Sequence, residues 1–343
     1  MTSAEMTSRE RVQTIFAGDA ADRCGLWLGS PHADTWPLLQ AYFETTSEEE
    51  VRQRLGDDIR WIRPDPDSYR HPDGKPIFDM RRRGDELSAP GVFADCEDPA
   101  EIEAFEWPNP EYLDFTAVLD RLHRTDDYYR MSGFWCPFFH FAADFFGMEN
   151  YFVKMYTHPE VVHAVTQHLV DFYLEANRRF FEAADGLVDG FFFGNDFGTQ
   201  LDLLVSPDMF EEFIFSYFKQ LTEQGHAHGL QVILHSCGSI FRVIPDLIQL
   251  GADALHPLQA RAANMDADTL AKHFKGNVAF LGGIDTQELL VRGTPEDVKA
   301  DVRRVKEILG PSLVVSPSHE AVLPNVPPAN LEAMAEEACR NAQ

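Results

Sequence analysis

The chain has 343 residues, with 56 Asp or Glu against 29 Lys or Arg and a formal net charge of −27. That field argues against nucleic acid as a partner, because phosphate binding wants a basic surface, and a polyanionic substrate would need its own local basic pocket. Hydrophobic residues make up 44% of the chain, enough to bury a sizeable core, and the longest apolar runs fall far short of the ~18 residues of a membrane-crossing helix.

Met1-Thr2-Ser3-Ala4-Glu5 has no basic region and no apolar region of a signal peptide. Cys24, Cys96, Cys136, Cys237 and Cys339 are scattered, odd in number and without CxxC spacing. Both features point to a cytoplasmic protein with reduced thiols. A helix signal opens at Thr7 or Ser8, with Glu10 soon after, and runs to Phe16. Short apolar strands are then expected over 24–28, 58–62, 129–135, 188–193, 231–235, 253–256, 277–282 and 313–317. Helical stretches fall between most of them, over 159–184, 207–228, 241–250, 268–274 and 295–309. Ser206-Pro207-Asp208 and Thr294-Pro295-Glu296 are strong helix starts. The segment 65–114 differs, being rich in Pro, Asp and Arg. It reads as a hairpin insertion plus a long loop after the second strand, either a lid over the barrel mouth or a surface excursion. Eight strands alternating with helices predict a single-domain (β/α)8 barrel over 1–343. A doubly wound sheet is the alternative, but no G-x-G-x-x-G follows a strand.

In such a barrel, chemistry lives at the C-terminal strand ends. Polar residues recur there: Asn195 and Asp196 after the fourth strand, His235 and Cys237 at the fifth, His256 and Gln259 at the sixth, Asp285 after the seventh, His319 and Glu320 after the eighth. A His and a Cys two residues apart supply half of a tetrahedral zinc site, or else a packed Cys beside a hydrogen-bonded His. The third ligand would be His319 first and Glu320 second, with Cys24 and Cys136 as less favoured substitutes; His319 reads equally as a substrate contact without metal. Asp196 would orient a ligand His, bind a substrate amine or hydroxyl, act as a base, or cap a helix. Asn195, Gln259, Asp285 and His256 are candidate substrate contacts, with Asp285 also a natural helix cap and His256 a possible loop anchor. The patch Phe134-Trp135-Cys136-Pro137-Phe138-Phe139-His140 with Phe145-Phe146 is mostly core, and part of it would wall an apolar pocket.

These pieces, in this order, resemble the uroporphyrinogen decarboxylase superfamily. The matching segments are Met6-Thr7-Ser8-Arg9-Glu10-Arg11, Asn195-Asp196-Phe197-Gly198-Thr199-Gln200, His235-Ser236-Cys237-Gly238, Gly282-Gly283-Ile284-Asp285, and His319 followed by Pro324 and Pro327. The resemblance spans nearly the whole chain and implies the same barrel. True decarboxylases carry an Arg-rich segment after the first strand that binds substrate carboxylates. Here the stretch reads Leu28-Gly29-Ser30-Pro31-His32-Ala33-Asp34-Thr35-Trp36, without Arg. His235 and Cys237 resemble the first two zinc ligands of the methyltransferase branch, whose later Cys is missing from Ser318-His319-Glu320. His319 also matches a substrate-binding His of the decarboxylase branch. The resemblance therefore implies a zinc-dependent methyltransferase. It would act between a corrinoid such as methylcobalamin, carried on a partner protein, and a small molecule, and a homodimer is implied as well. The alternatives are a lyase that decarboxylates a small acid with a pocket Arg such as Arg63 or Arg81, and a non-catalytic ligand-binding barrel.

Overall fold

The computed structural model describes residues 6–65, 67–80, 84–86, 88–125 and 127–340. The segment Met1 to Glu5 and the candidate Arg81 lie outside the described residues. Among the described residues eight strands form: β1 (Gly25–Leu26), β2 (Ile59–Trp61), β3 (Tyr129–Ser132), β4 (Gly190–Gly194), β5 (Gln231–His235), β6 (Ala254–His256), β7 (Ala279–Ile284) and β8 (Leu313–Pro317). Their order is β1-β8-β7-β6-β5-β4-β3-β2, and every ladder is parallel. The two remaining edges meet without a ladder. The Asp58 amide donates to the Leu26 carbonyl at 2.9 Å, and the Leu26 amide donates to Asp58 Oδ2 at 2.9 Å. Helices between the strands complete a (β/α)8 barrel.

The foot of the barrel is plugged by the helix Ser8–Phe16, which opens with a Thr7/Glu10 capping box. Its apolar residues Val12, Ile15 and Phe16 join Trp27, Ile59, Met131, Phe192, Ile233, Leu281 and Val314 inside the barrel. Its polar residues reach buried carboxylates. Ser8 and Arg11 bond Asp58, and Arg9 pairs with Asp189 at 2.6 Å. The Ser8, Arg9 and Arg11 positions of the opening motif thus serve barrel closure.

The outer helices follow their apolar spacing. Pro159–Ala183 starts on a proline and buries Val161, Val165, Leu169, Phe172, Ala176 and Phe180 along one face. The stretch expected as one helix over 207–228 is Pro207–Phe210, then a wider π turn over Glu211–Phe215, then Ser216–Ala227. The wide turn lets Phe210, Phe213, Ile214 and Tyr217 all face the core.

The segment 65–114 lies between β2 and β3, as expected of an insertion, but it forms no hairpin ladder among the described residues. A single antiparallel bridge joins Tyr69 to Leu113, beside a short helix Pro99–Glu103 and a turn Pro110–Tyr112. Recurrent prolines, including Pro72, Pro76, Pro90 and Pro108, remove the donors that a ladder needs. The segment is held by aromatic contacts instead. Phe93 stacks on Phe145 at 5.5 Å, Phe78 meets Phe141 at 5.6 Å, and Trp107 stacks on His168 at 4.5 Å. Cys24, Cys96, Cys136, Cys237 and Cys339 are all free thiols. No helix of the described residues is long and apolar enough to cross a membrane.

Candidate metal centre at the barrel mouth

β4 and β5 run side by side with Gly194 opposite His235. The loops leaving them touch through two glycines. Gly238 has φ 84°, and a Cβ there would lie 2.3 Å from the Gly198 backbone, so no side chain fits. This contact draws Asp196 onto Cys237, whose amide donates to Asp196 Oδ1 at 2.8 Å. His235 Nε2 lies 3.2 Å from the same oxygen and 3.5 Å from Cys237 Sγ. One nitrogen, one sulfur and one carboxylate oxygen thus sit within 4.8 Å of one another.

The other edge of His235 faces a second group. Its Nδ1 lies 2.9 Å from His256 Nδ1 and 3.4 Å from Glu320 Oε2. His235, His256 and Glu320 also bring candidate ligand atoms within 4.8 Å. Burial disfavours charge on His235, but Glu320, Asp196 and Cys237 outweigh it and push the imidazole well above its ordinary range. Burial and the charge of His235 push His256 well below. The opposite shifts favour His235 as the donor and His256 as the acceptor across their 2.9 Å Nδ1–Nδ1 contact. Both His256 Nε2 and Glu320 Oε2 are buried without a hydrogen-bond partner. Burial would raise the Asp196 carboxyl, yet His235 and the Cys237 amide hold it far below the carboxylate range.

The remaining expected residues sit around these two groups. His319 is half-exposed, accepts from the Ala321 amide at 3.0 Å, and has its ring centre 6.4 Å from that of His235. It belongs to neither group, although the nearby Cys237 sulfur raises its pKa against the effect of burial. Asn195 accepts from the Phe139 amide at 2.9 Å and donates to the Cys136 carbonyl at 3.0 Å, bracing the loop after β3. Gln259 Oε1 accepts from the Gly238 amide at 2.6 Å, so it steadies the His-x-Cys loop. Asp285 accepts from the amides of Gln287, Glu288 and Leu289 and lies 3.6 Å from Arg261. Cys136 is buried against the Phe134 carbonyl and Asn177. Cys24 precedes β1, at the foot of the barrel.

Two further neighbours were not singled out as site residues from sequence. The Trp135 ring lies 5.1 Å from the His235 ring, and His140 Nε2 accepts from the Asp196 amide at 2.9 Å. His140 is the one polar ring in a run of phenylalanines, which was its available signal. The pairing of His235 with His256 follows from β5 and β6 both ending in His at one register.

Fold and site together define a (β/α)8 barrel with a candidate His/Cys/carboxylate centre at its C-terminal mouth. The family model described as uroporphyrinogen decarboxylase matches residues 85–340, and the chain belongs to that family. A methyltransferase from Methanosarcina mazei is similar in structure, with a TM-score of 0.69 and 15% identity over 97% of this chain and 98% of that one. No curated protein matches the chain in sequence.

Proposed function

We propose that this protein is a zinc-dependent methyltransferase that moves a methyl group between a corrinoid on a partner protein and a small substrate. The observation that carries the reading is the convergence of His235 Nε2, Cys237 Sγ and Asp196 Oδ1. Nitrogen, thiolate and carboxylate donors suit zinc, and catalytic zinc sites pair three protein ligands with an open position. The second group fits an outer shell. Glu320 and His256 face the Nδ1 edge of His235, the arrangement that orients a ligand imidazole. Glu320 Oε2, paired with His235 Nδ1 at 3.4 Å but without a hydrogen bond, is also eligible as a donor, beside His319.

Zinc held there would supply Lewis acidity, lowering the pKa of a substrate thiol or polarising an ether oxygen. The chain's own residues have separable tasks. His235 and Cys237 hold, Asp196 holds or orients through the Cys237 amide, and half-exposed His319 carries a proton at the mouth. His256 braces the Nδ1 edge of His235. Methyl transfer is supported by the name of the structural neighbour, whereas the corrinoid, its carrier protein, a homodimer and the cytoplasmic setting rest on resemblance and composition. A second reading, decarboxylation of a small acid with zinc dispensable, is favoured by membership of the uroporphyrinogen decarboxylase family.

Elemental analysis of the wild type beside Cys237→Ala tests the centre. We expect about one zinc per chain, lost in the variant while the circular dichroism spectrum is unchanged. Zinc retained at full occupancy in Cys237→Ala removes the proposed ligand set. A wild type that takes up no zinc after repletion moves the lyase reading to first place.

A further inference from the structure

A cavity of about 570 Å³ adjoins the centre on its β3 side, with Trp135 and His140 among its lining residues. Both touch the centre, Trp135 through the His235 ring and His140 through the Asp196 amide. The other walls include Phe78, Phe141 and Tyr173, so the space is lined by flat rings. Such walls favour a planar ligand that stacks or packs edge to face.

Three charged residues also line this space: Arg63, Asp65 and Lys75, and Lys75 is paired with Glu106 at 2.7 Å. Arg63 holds its guanidinium 4.7 Å over the Trp61 ring. Among the described residues its side chain makes no hydrogen bond and has no carboxylate within ion-pair distance, in contrast to Arg11, Arg23, Arg52 and Arg60, which pair with buried Asp or with Glu49. Asp65 is half-buried, and its Oδ1 is buried with no hydrogen-bond partner among the described residues. Burial pushes the Asp65 carboxyl up, against the pull of Arg63. A guanidinium stacked on an indole keeps its N–H edge available for a carboxylate fork. In a chain of net charge −27, the N–H edge of Arg63 gives this aromatic-walled space a local cation.

We propose that this chamber binds the substrate, and that the substrate is a planar aromatic carboxylate with its ring between the aromatic walls and its carboxylate on Arg63. The inference rests on the reading of the mouth as the reaction site, but binding itself is independent of which reaction follows.

The test is calorimetric titration of the full chain with benzoate, beside cyclohexanecarboxylate and benzyl alcohol, in wild type, Arg63→Ala and Arg63→Lys. Zinc content and thermal melting are measured on the same samples. We expect benzoate to bind at millimolar affinity or better, with Arg63→Ala weakening it about tenfold or more and Arg63→Lys weakening it less. Cyclohexanecarboxylate, lacking the flat ring, and benzyl alcohol, lacking the charge, bind more weakly than benzoate. No benzoate binding up to about 10 mM in the wild type overturns the inference, as does equal affinity in a folded Arg63→Ala. If Arg63→Ala does not fold, benzoate affinity unchanged in Arg63→Lys and equalled by benzyl alcohol in the wild type overturns it. Benzoate binding in a chain that takes up no zinc leaves the chamber standing while the metal reading falls, and the converse result separates them the other way.

Discussion

Replacing Asp58 with alanine tests how the barrel is closed. The carboxylate is fully buried and accepts from Ser8 Oγ at 2.7 Å, Arg11 Nη1 at 2.8 Å, Arg23 Nη1 at 2.8 Å and Nη2 at 3.0 Å, and the Leu26 amide at 2.9 Å. It therefore ties the plugging helix, β1 and the entry to β2 into one knot, at the only seam of the described sheet that lacks a ladder. Breaking a buried ion pair by removing one partner costs about 3–5 kcal/mol. Arg11 keeps Asp22 through Nε at 2.7 Å and Nη2 at 2.9 Å, which places this loss near the lower end, about 3 kcal/mol. The abandoned Leu26 amide adds about 1 kcal/mol. The expected loss is thus about 4 kcal/mol. Asp58→Asn, which keeps one acceptor but no charge, falls between the two. Urea unfolding reads the effect as a lower midpoint at unchanged slope. A loss below about 1 kcal/mol in Asp58→Ala would refute the reasoning. The seam would then be held by the Asp58 amide and by packing rather than by the carboxylate.

Two further outcomes follow from the same reading of charge. Glu320→Gln keeps the side chain's shape but removes the carboxylate facing His235 Nδ1; zinc affinity, measured by chelator competition, should fall about 10- to 100-fold. Unchanged affinity would place Glu320 outside the metal's surroundings. Asp22 governs an acid limb of stability. Burial raises its carboxyl, but Arg11 and the amides of Met6 and Arg23 outweigh burial and hold it below the ordinary carboxylate range. A depressed folded-state pKa means that the unfolded chain binds the proton more tightly. The stabilisation is therefore present above the unfolded value near 4 and is lost as pH falls through that value toward the folded one. Urea midpoints below about pH 4 should fall less steeply in Asp22→Asn than in the wild type, and parallel curves would contradict this.

The barrel was legible because parallel strands buried on both faces read as short apolar runs between breakers. The stretches 231–235 and 313–317 match β5 and β8 to the residue. The first strand shrank from 24–28 to Gly25–Leu26 because its second neighbour is Asp58 rather than a strand ladder. No local pattern announces that a side chain replaces a ladder. At the mouth, the His-x-Cys pair was legible because both donors lie in one segment. Which of His319 and Glu320 faces His235 was not. Adjacent residues leave the chain in different directions, and the course of the loop after β8 decides which turns inward. That course is pinned by the Ser30 amide on the Glu320 carbonyl at 2.6 Å, a contact some 290 residues apart in the chain. The isolation of Arg63 was equally hidden, since a missing carboxylate partner is a property of tertiary structure.

The two ends of the barrel differ in how completely their polar groups are paired, and the difference bears on function. At the foot, Arg9, Arg11, Arg23 and Arg130 meet Asp189, Asp22 and Asp58, and these carboxylates are largely buried. At the mouth the pairing is incomplete. The buried side-chain atoms without a hydrogen-bond partner among the described residues are Trp27 Nε1, Trp61 Nε1, Asp65 Oδ1, Gln224 Oε1, His256 Nε2, Ser316 Oγ and Glu320 Oε2. All but Gln224 lie at or just beyond the C-terminal end of a strand. A buried polar atom without a partner costs about 1–3 kcal/mol, and native folds hold few of them. A random scatter of such costs would not favour one end. Their concentration at the mouth, around the His235–Cys237 pair and beside Arg63, which has no carboxylate partner among the described residues, is what the proposed metal and substrate site would require. The foot, where pairing is already complete, carries the stability of the fold.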